Sequence, residues 1–410
     1  VARDSEETRF WRIAGAGAAF QGGSAAVDSA TVVASLVHML TGSALAVGYA
    51  SAVLRLGWLL PQLFVGYLAG RTERRMPFYA VGAYGRAIAV ALIGLLLWWG
   101  ADWPPVPLAL ALLALWSIYA FISGVVAVPY NDIVGRAIPS ERRSRMLAWR
   151  FFGGGILAVL VAGLLRLALN TMPPLTAYAL IFGLGAGLMI VSATLFVSAG
   201  EPPAVATAPR DRSADLAAFL REGLSTLRQD RRFRLYLIFQ WLGAATLMAL
   251  PFYVVMAARQ GLGAAEVGTM LAAQTFGALA SNPVWGRIGD HTGKLRLLQI
   301  VAVVRMGPPV LVLMLAAMDS GLAGYAVLFF LIGAMMNGVT IGYLGFLMEI
   351  SPDDRRPAYS AWFNSFAAPA ALAPLLGGAL AGVIAIEAVF IVAIFAALAQ
   401  IAVGLRLSQG

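Results

Sequence analysis

The chain has 410 residues, 60% of them hydrophobic and 12% charged, with a mean hydropathy of +0.81 and a formal net charge of +9. So apolar a composition excludes a water-soluble protein of this size, and the basic residues sit in short clusters between apolar runs, a pattern of membrane topology and not of a nucleic-acid surface. The absence of cysteine excludes disulfides and thiolate sites, and His38 and His291 stand too far apart for a metal site, so no cofactor is expected.

Uncharged runs of about twenty residues recur along the chain, each long enough to cross a hydrocarbon layer of about 30 Å. The first residues carry Arg3, Arg9 and Arg12 among acids, with no cleavage pattern behind them, so the N-terminus is expected to stay in the cytoplasm. Candidate spans follow at 13–38, 44–69, 77–99, 107–130, 147–169, 175–198, 233–256, 265–287, 294–317, 322–348, 358–381 and 385–406. Backbone amides have no water partner in lipid, so these are helices. The longest break, residues 199–232, begins Glu201-Pro202-Pro203 and divides the chain into 1–198 and 233–410. The expected fold is thus an all-α membrane protein of twelve transmembrane helices in two pseudo-symmetric six-helix bundles.

Alternate gaps are basic: Arg71, Arg74 and Arg75; Arg136, Arg142, Arg143 and Arg145; the Arg210 to Arg234 group; Arg287, Lys294 and Arg296; Arg355 and Arg356. The others hold only Asp102, Arg259, Glu266, Asp319 and Glu387. Both termini and the basic loops should therefore face the cytoplasm, in a bacterial cytoplasmic membrane. Within the long break, Leu216, Phe219, Leu220, Leu224 and Leu227 fall at helical spacing beside Arg221 and Arg228. Either an amphipathic helix on the inner membrane surface or a linker helix packed under the bundle fits.

Intramembrane charge is the next signal. Asp28 and Arg55 fall about 15 and 18 Å from the outer ends of the first two spans, at a rise of about 1.5 Å per residue. Lone charges there are costly, so the two are expected to face the interior, with Asp28 taking a proton or a cation and Arg55 favouring its ionised form and competing with it. A static pair locking two helices is the structural alternative. Arg86 and Arg305, each about three turns from the inner end of its span, are expected to snorkel or pack against the inner loops, and Arg150 to join an inner gate near Asp132 or Glu141.

The halves are also alike. Pro139-Ser140-Glu141-Arg142-Arg143 with Ala148-Trp149 is matched by Pro352-Asp353-Asp354-Arg355-Arg356 with Ala361-Trp362 at the same internal spacing. Duplication of this kind builds transporters whose two halves rock about a central site.

Gly286-Arg287-Ile288-Gly289-Asp290-His291-Thr292-Gly293-Lys294 resembles the signature loop of the major facilitator superfamily, and Gly66-Tyr67-Leu68-Ala69-Gly70-Arg71-Thr72-Glu73-Arg74-Arg75 looks like its partner, with Gly70 where Asp290 stands in the second copy. The resemblance implies the major facilitator fold. It also implies a cytoplasmic gate drawn from Arg71, Arg74, Asp132, Arg142, Arg150, Gly286, Arg287, Asp290, Lys294, Glu349 and Arg355, in which Asp290 acts as a latch. Pro129-Tyr130-Asn131-Asp132 with Glu141-Arg142 is similar to the loop between the fourth and fifth spans of the sugar-and-cation symporter branch, although the second span lacks that branch's paired acids. By the same resemblance Tyr119, Gln240, Trp241, Tyr253, Gln274, Asn337, Tyr343 and Asn364 face the central cavity, with Trp58, Trp116 and Phe121 nearby. Such a lining suits an amphipathic or aromatic organic solute.

No nucleophile and base pair and no phosphate loop is present, so neither an enzyme nor an ATP-driven pump is expected. The expected function is secondary active transport of a small organic, amphipathic solute coupled to protons through Asp28 and Arg55, by a monomer whose partners are membrane lipids, the solute and protons. The alternatives are a non-transporting membrane protein, such as a sensor or assembly factor, and a cation-coupled sugar or metabolite symporter.

Overall fold

Hydrocarbon surroundings leave each backbone N–H only its own helix as partner, and almost all of the described chain is helical. The structure is a computed structural model that describes residues 2–69, 74–203, 216–318, 320–351 and 356–408. The helices are α1 (Ala2–Ala26), α2 (Val32–Thr41), α3 (Ala44–Ala69), α4 (Met76–Trp99), α5 (Pro105–Ala137), α6 (Ser140–Thr171), α7 (Pro174–Ser198), α8 (Leu216–Gln229), α9 (Arg231–Leu247), α10 (Phe252–Arg259), α11 (Glu266–His291), α12 (Lys294–Ala317), α13 (Leu322–Ile350), α14 (Arg356–Ala367), α15 (Ala373–Val383) and α16 (Ile386–Leu407), with a 3₁₀ turn at Ala368–Leu372 before α15.

Ten helical stretches among the described residues are long and apolar enough to cross a membrane, so the expectation of twelve transmembrane helices in two six-helix bundles is not met. The two that fall short have visible causes. The run 13–38 is interrupted at residues 27–31, which leaves α1, laden with charge at its start, and the ten-residue α2. The run 265–287 forms α11, which carries Glu266, Gln274, Asn282, Arg287, Asp290 and His291. Residues 248–251 likewise separate α9 from α10. Pro251 has no N–H to give to the preceding turn, whereas Pro61, Pro308 and Pro309 stay inside continuous helices. The segment Pro129 to Asp132, expected as a loop, lies inside α5, which runs on to Ala137.

Helices α1, α3, α4, α5, α6 and α7 pack chiefly on one another, as do α9, α11, α12, α13 and α16; α3 with α15, α6 with α11 and α2 with α10 join the two groups. The α3–α15 contact is made by bare backbone: a methyl group on Gly378 would fall 2.6 Å from the Ala44 carbonyl oxygen and 3.0 Å from the Leu45 Cα, and one on Gly48 would strike the Pro374 carbonyl. These joining contacts gather where α3 and α11 begin and α6 ends, the membrane face opposite the N-terminus. Helix α8 packs on α9 and α14, with Gly223 against the Trp362 indole, the packed-linker alternative of the two sequence readings.

At the crossing of α3 and α5 a methyl group on Gly57 would meet the Ala120 carbonyl carbon at 2.6 Å and the Phe121 nitrogen at 2.7 Å. Backbone cannot step aside as a side-chain tip does. Gly57→Ala is therefore expected to destabilise the detergent-solubilised protein by about 1–3 kcal/mol in thermal unfolding, while Gly183→Ala, which meets nothing within 4 Å, leaves the midpoint unchanged or higher. Equal midpoints for the two variants would show that the α3–α5 approach is looser than described.

Candidate substrate cavity

A cavity of about 910 Å³ lies at the centre of the molecule, walled by α1, α3, α4, α5, α6, α7, α9, α13 and the 3₁₀ turn before α15. Its charged lining consists of Asp28, Arg55, Arg86 and Arg150, all from the first half of the chain. The second half contributes Gln240 and otherwise apolar residues such as Leu247, Met336 and Ala370.

Asp28 occupies the break between α1 and α2. Its Oδ1 accepts from the Thr31 hydroxyl at 2.7 Å and from the backbone N–H groups of Thr31 at 2.9 Å and Ala30 at 3.1 Å. The carboxylate thus takes up amides of the turn that precedes α2, which the interruption leaves without helical partners. Arg55 faces the same space from α3, yet no ion pair joins it to Asp28 among the described residues. The two share a cavity, not a locked bridge.

Arg86 corrects the snorkelling expectation. It is 5% exposed and turned inward, its guanidinium carbon 3.9 Å from the centroid of the Phe20 ring. Arg305 is also buried, at 3%, against Gly243 beside Gln400 and off the cavity wall. Arg150 bonds within the cavity wall: its Nη1 donates to the Tyr130 hydroxyl at 2.8 Å, and its stem crosses α1 at Gly17, where a methyl group would lie 2.5 Å from Cγ and Cδ.

Of the other expected lining residues, Tyr119 and Gln240 reach the cavity. Tyr119 stacks on Trp116 with centroids 4.9 Å apart, and Trp58 lines the wall beside Arg55, whereas Phe121 is exposed away from it. The remainder serve packing. Trp241 donates to the Phe366 carbonyl, and Tyr253 stacks on Phe390 in the apolar core. Asn337 donates to Asn282 and to the Ala278 carbonyl, tying α13 to α11, where Gly333 also packs on the Gln274 carbonyl. Tyr343 donates to Asn364 at 2.7 Å. An amide or phenol turned inward finds a neighbouring helix as readily as a cavity, and residue type alone does not separate the two.

The end of the molecule where α4 and α6 begin and α5 ends carries a charge network of a different shape from the expected gate. Asp132 accepts from Arg136 at 2.6 Å and lies 3.6 Å from Arg75, Arg136 also pairs with Glu201 at 2.7 Å, and Arg142 pairs with Glu7 at 2.5 Å. Arg142 holds the exposed Glu7 carboxyl below the usual carboxylate range. Both partners of each described ion pair lie before Pro202, so these pairs brace the first half internally. Lys294 donates to the Gly289 carbonyl across the reversal at Gly293, where φ is +85°. Arg287 and Glu349 are exposed, Arg74 lies at the start of the segment before α4, and Gly286 has open space around it. Arg71, Arg355 and the Asp290 side chain lie outside the described residues.

Sequence reading missed Glu201, Arg86 and Tyr130. Glu201 looked like the start of a linker, but its carboxylate accepts from the Arg75 N–H at 2.8 Å and the Met76 N–H at 2.8 Å, at the start of α4, and from Arg136. The signal available was an acid placed opposite two basic loops and a helix N-terminus.

Residues 242–408 match the family model described as Major Facilitator Superfamily. The second half of the chain is thus similar to that superfamily, and the whole has an all-α, multi-spanning membrane fold shared with solved transporter structures. Solved structures that share the fold include a mutant of the nucleoside transporter NupG, with a TM-score of 0.72, 13% identity and 99% of each chain covered. A bacterial homologue of the iron transporter ferroportin in an inward-facing state has a TM-score of 0.72 at 15% identity, covering 98% of this chain and 99% of its own. A POT family transporter in complex with a thioalcohol-conjugated peptide has a TM-score of 0.70 at 11% identity, covering 97% and 94%. A search of curated protein sequences finds no match.

Burial alone would raise the Glu201 carboxyl, but the Arg75 and Met76 amides and the Arg136 guanidinium outweigh it and hold the group below its ordinary value of 4.5. A depressed pKa in the folded state stabilises above the unfolded value, and that contribution is lost as pH falls through the folded pKa. Glu201→Gln is expected to cost about 1–3 kcal/mol at neutral pH and to flatten the loss of thermal stability on acidification below pH 4.5. Unfolding curves against pH with the same acid slope in both proteins would remove Glu201 from this role.

Proposed function

We propose that this chain is a secondary active transporter that moves a small organic, amphipathic solute by alternating access, coupled to protons through Asp28. The observation that carries the reading is the central cavity of about 910 Å³ between helices of the two halves, charged on one side and apolar on the other. A volume in this range suits a drug-sized organic molecule, not a bare ion. Residues 1–198 and 233–410 would be the two moving bodies, linked through 199–232, with Arg142, Asp132 and the loop ending at Lys294 on the inner face where a gate would close.

Asp28 suits the coupling role through its position in the turn between α1 and α2. Its carboxylate holds Thr31, the residue that leads into α2, and α2 packs on α3 and α10 at the contacts joining the halves. A proton on Asp28 weakens that hold and removes one negative charge from the cavity, so protonation acts at once on the hinge and on the field felt by the solute. Arg55 competes for the same carboxylate when the cavity narrows.

The test is transport in proteoliposomes over a panel of metabolites and drugs, with and without an imposed pH gradient. Gradient-dependent flux of at least one organic solute is expected; none over a broad panel would favour a non-transporting protein. Asp28→Asn keeps an oxygen for the Thr31 amide but cannot ionise, so it is expected to abolish pH-driven accumulation while downhill exchange of preloaded solute persists. Accumulation at the wild-type level in Asp28→Asn would mean that the carboxylate serves the turn alone.

A further inference from the structure

The charge of the cavity specifies its cargo more closely than its size does. Three guanidinium groups, on Arg55, Arg86 and Arg150, face it against a single carboxylate, Asp28, one oxygen of which is already taken by Thr31 and Ala30. Even with Asp28 set against Arg55, the other two arginines have no counter-charge among the described residues. Arg86 makes no hydrogen bond or ion pair among the described residues, and its buried Nε has no partner. Arg150 spends one N–H on Tyr130, and its Nε is also buried without a partner.

The two groups converge on one stripe of α1. Arg150 crosses that helix at Gly17, and Arg86 stacks on Phe20. Residues three apart lie on the same helix face, within about one turn, roughly 5 Å, of each other. Gly17 is the position that admits the arrangement, because any side chain there would overlap the Arg150 stem. Buried cations held close together without a carboxylate are costly, and planar guanidinium forks are built to receive the oxygens of a carboxylate or a phosphate. The hydroxyl of Ser123, also on the wall, adds one more donor. Around this cluster stand the rings of Phe20, Tyr79, Tyr119 and Tyr130, with Tyr79 and Tyr130 6.3 Å apart.

We propose that the cavity takes an organic anion, its carboxylate or phosphate group held by Arg86 and Arg150 and its planar apolar body lodged among the surrounding rings. The inference deepens the transport reading by naming the class of its cargo, and it depends on that reading for movement but not for binding. The pseudo-symmetric Arg305 of the second half is sequestered off the cavity, so the anion site is single and belongs to the first half.

The experiment measures equilibrium binding to the purified full chain in detergent, using benzoate and benzylphosphonate as anions, benzamide as the neutral analogue and benzylamine as the cation. At least one anion is expected to bind saturably with a Kd in the millimolar range or tighter, about tenfold or more below benzamide and benzylamine. Arg86→Gln and Arg150→Gln are each expected to erase that preference, while Arg259→Gln, on the exposed end of α10, keeps it. Benzamide or benzylamine binding as tightly as the anions, or no saturable binding of either anion up to about 10 mM, overturns the proposal. These wild-type comparisons decide it even where an arginine variant does not fold. Flux in proteoliposomes separates the two readings: anion binding without flux supports the site and defeats the transporter, and pH-driven flux confined to cations supports the transporter and defeats the site.

Discussion

A helix cannot stop inside hydrocarbon unless something receives the amides it releases. That constraint governs the centre of this molecule. At residues 27–31 the chain stops, and the Asp28 carboxylate receives the Thr31 and Ala30 amides. At residues 248–251, the corresponding place in the second half, no acid is present, and the break is bridged by tight turns such as the Leu250 N–H to the Leu247 carbonyl and the Phe252 N–H to the Ala249 carbonyl. The same interruption is therefore maintained by charge in one half and by backbone alone in the other. Because the charged solution needs polar surroundings, the first half also holds the arginines and tyrosines, while the second presents an apolar wall.

This asymmetry explains where the internal resemblance ends. The repeated Pro-x-x-Arg-Arg segments and the paired arginines Arg86 and Arg305 mark a duplicated chain, yet only Arg86 has kept a view of the cavity. Where α5 ends and α4 begins, too, it is the first half that is braced, by Arg136, Asp132 and Glu201.

Much of the helical frame was legible because long apolar runs between basic clusters leave little choice: α3 and α12 begin and end at the boundaries read from the sequence, and α4, α7 and α16 within a residue. The count of spans was not legible in the same way, since 13–38 reads as one apolar run until Asp28 is seen to hold the turn that interrupts it. For the cavity, charges inside the membrane gave Asp28 and Arg55 their place, because ions in lipid have few places to go. Neutral polar residues were less informative. Asn337, Tyr343 and Trp241 satisfy themselves on adjacent helices, and sequence holds no mark that distinguishes such a partner from a solute. Arg86 was misplaced for a further reason, as its stacking partner Phe20 lies on another helix and three-dimensional proximity is not written in either segment.

The contact between Gly48 and Gly378 has a mechanical meaning. Where two helices meet through interlocked side chains, parting them requires rotamers to change and ion pairs to break; here main chain rests on main chain, with no side chain interposed. Such a seam is a parting line. It closes tightly because nothing stands between the backbones, and it opens as a unit because nothing is threaded across it. The resistance to opening then comes from wetting and lipid contact along the newly bared surfaces. Under the alternating-access mechanism proposed above, bilayer thickness and lateral pressure, acting on those surfaces, would become terms in the balance between the two states.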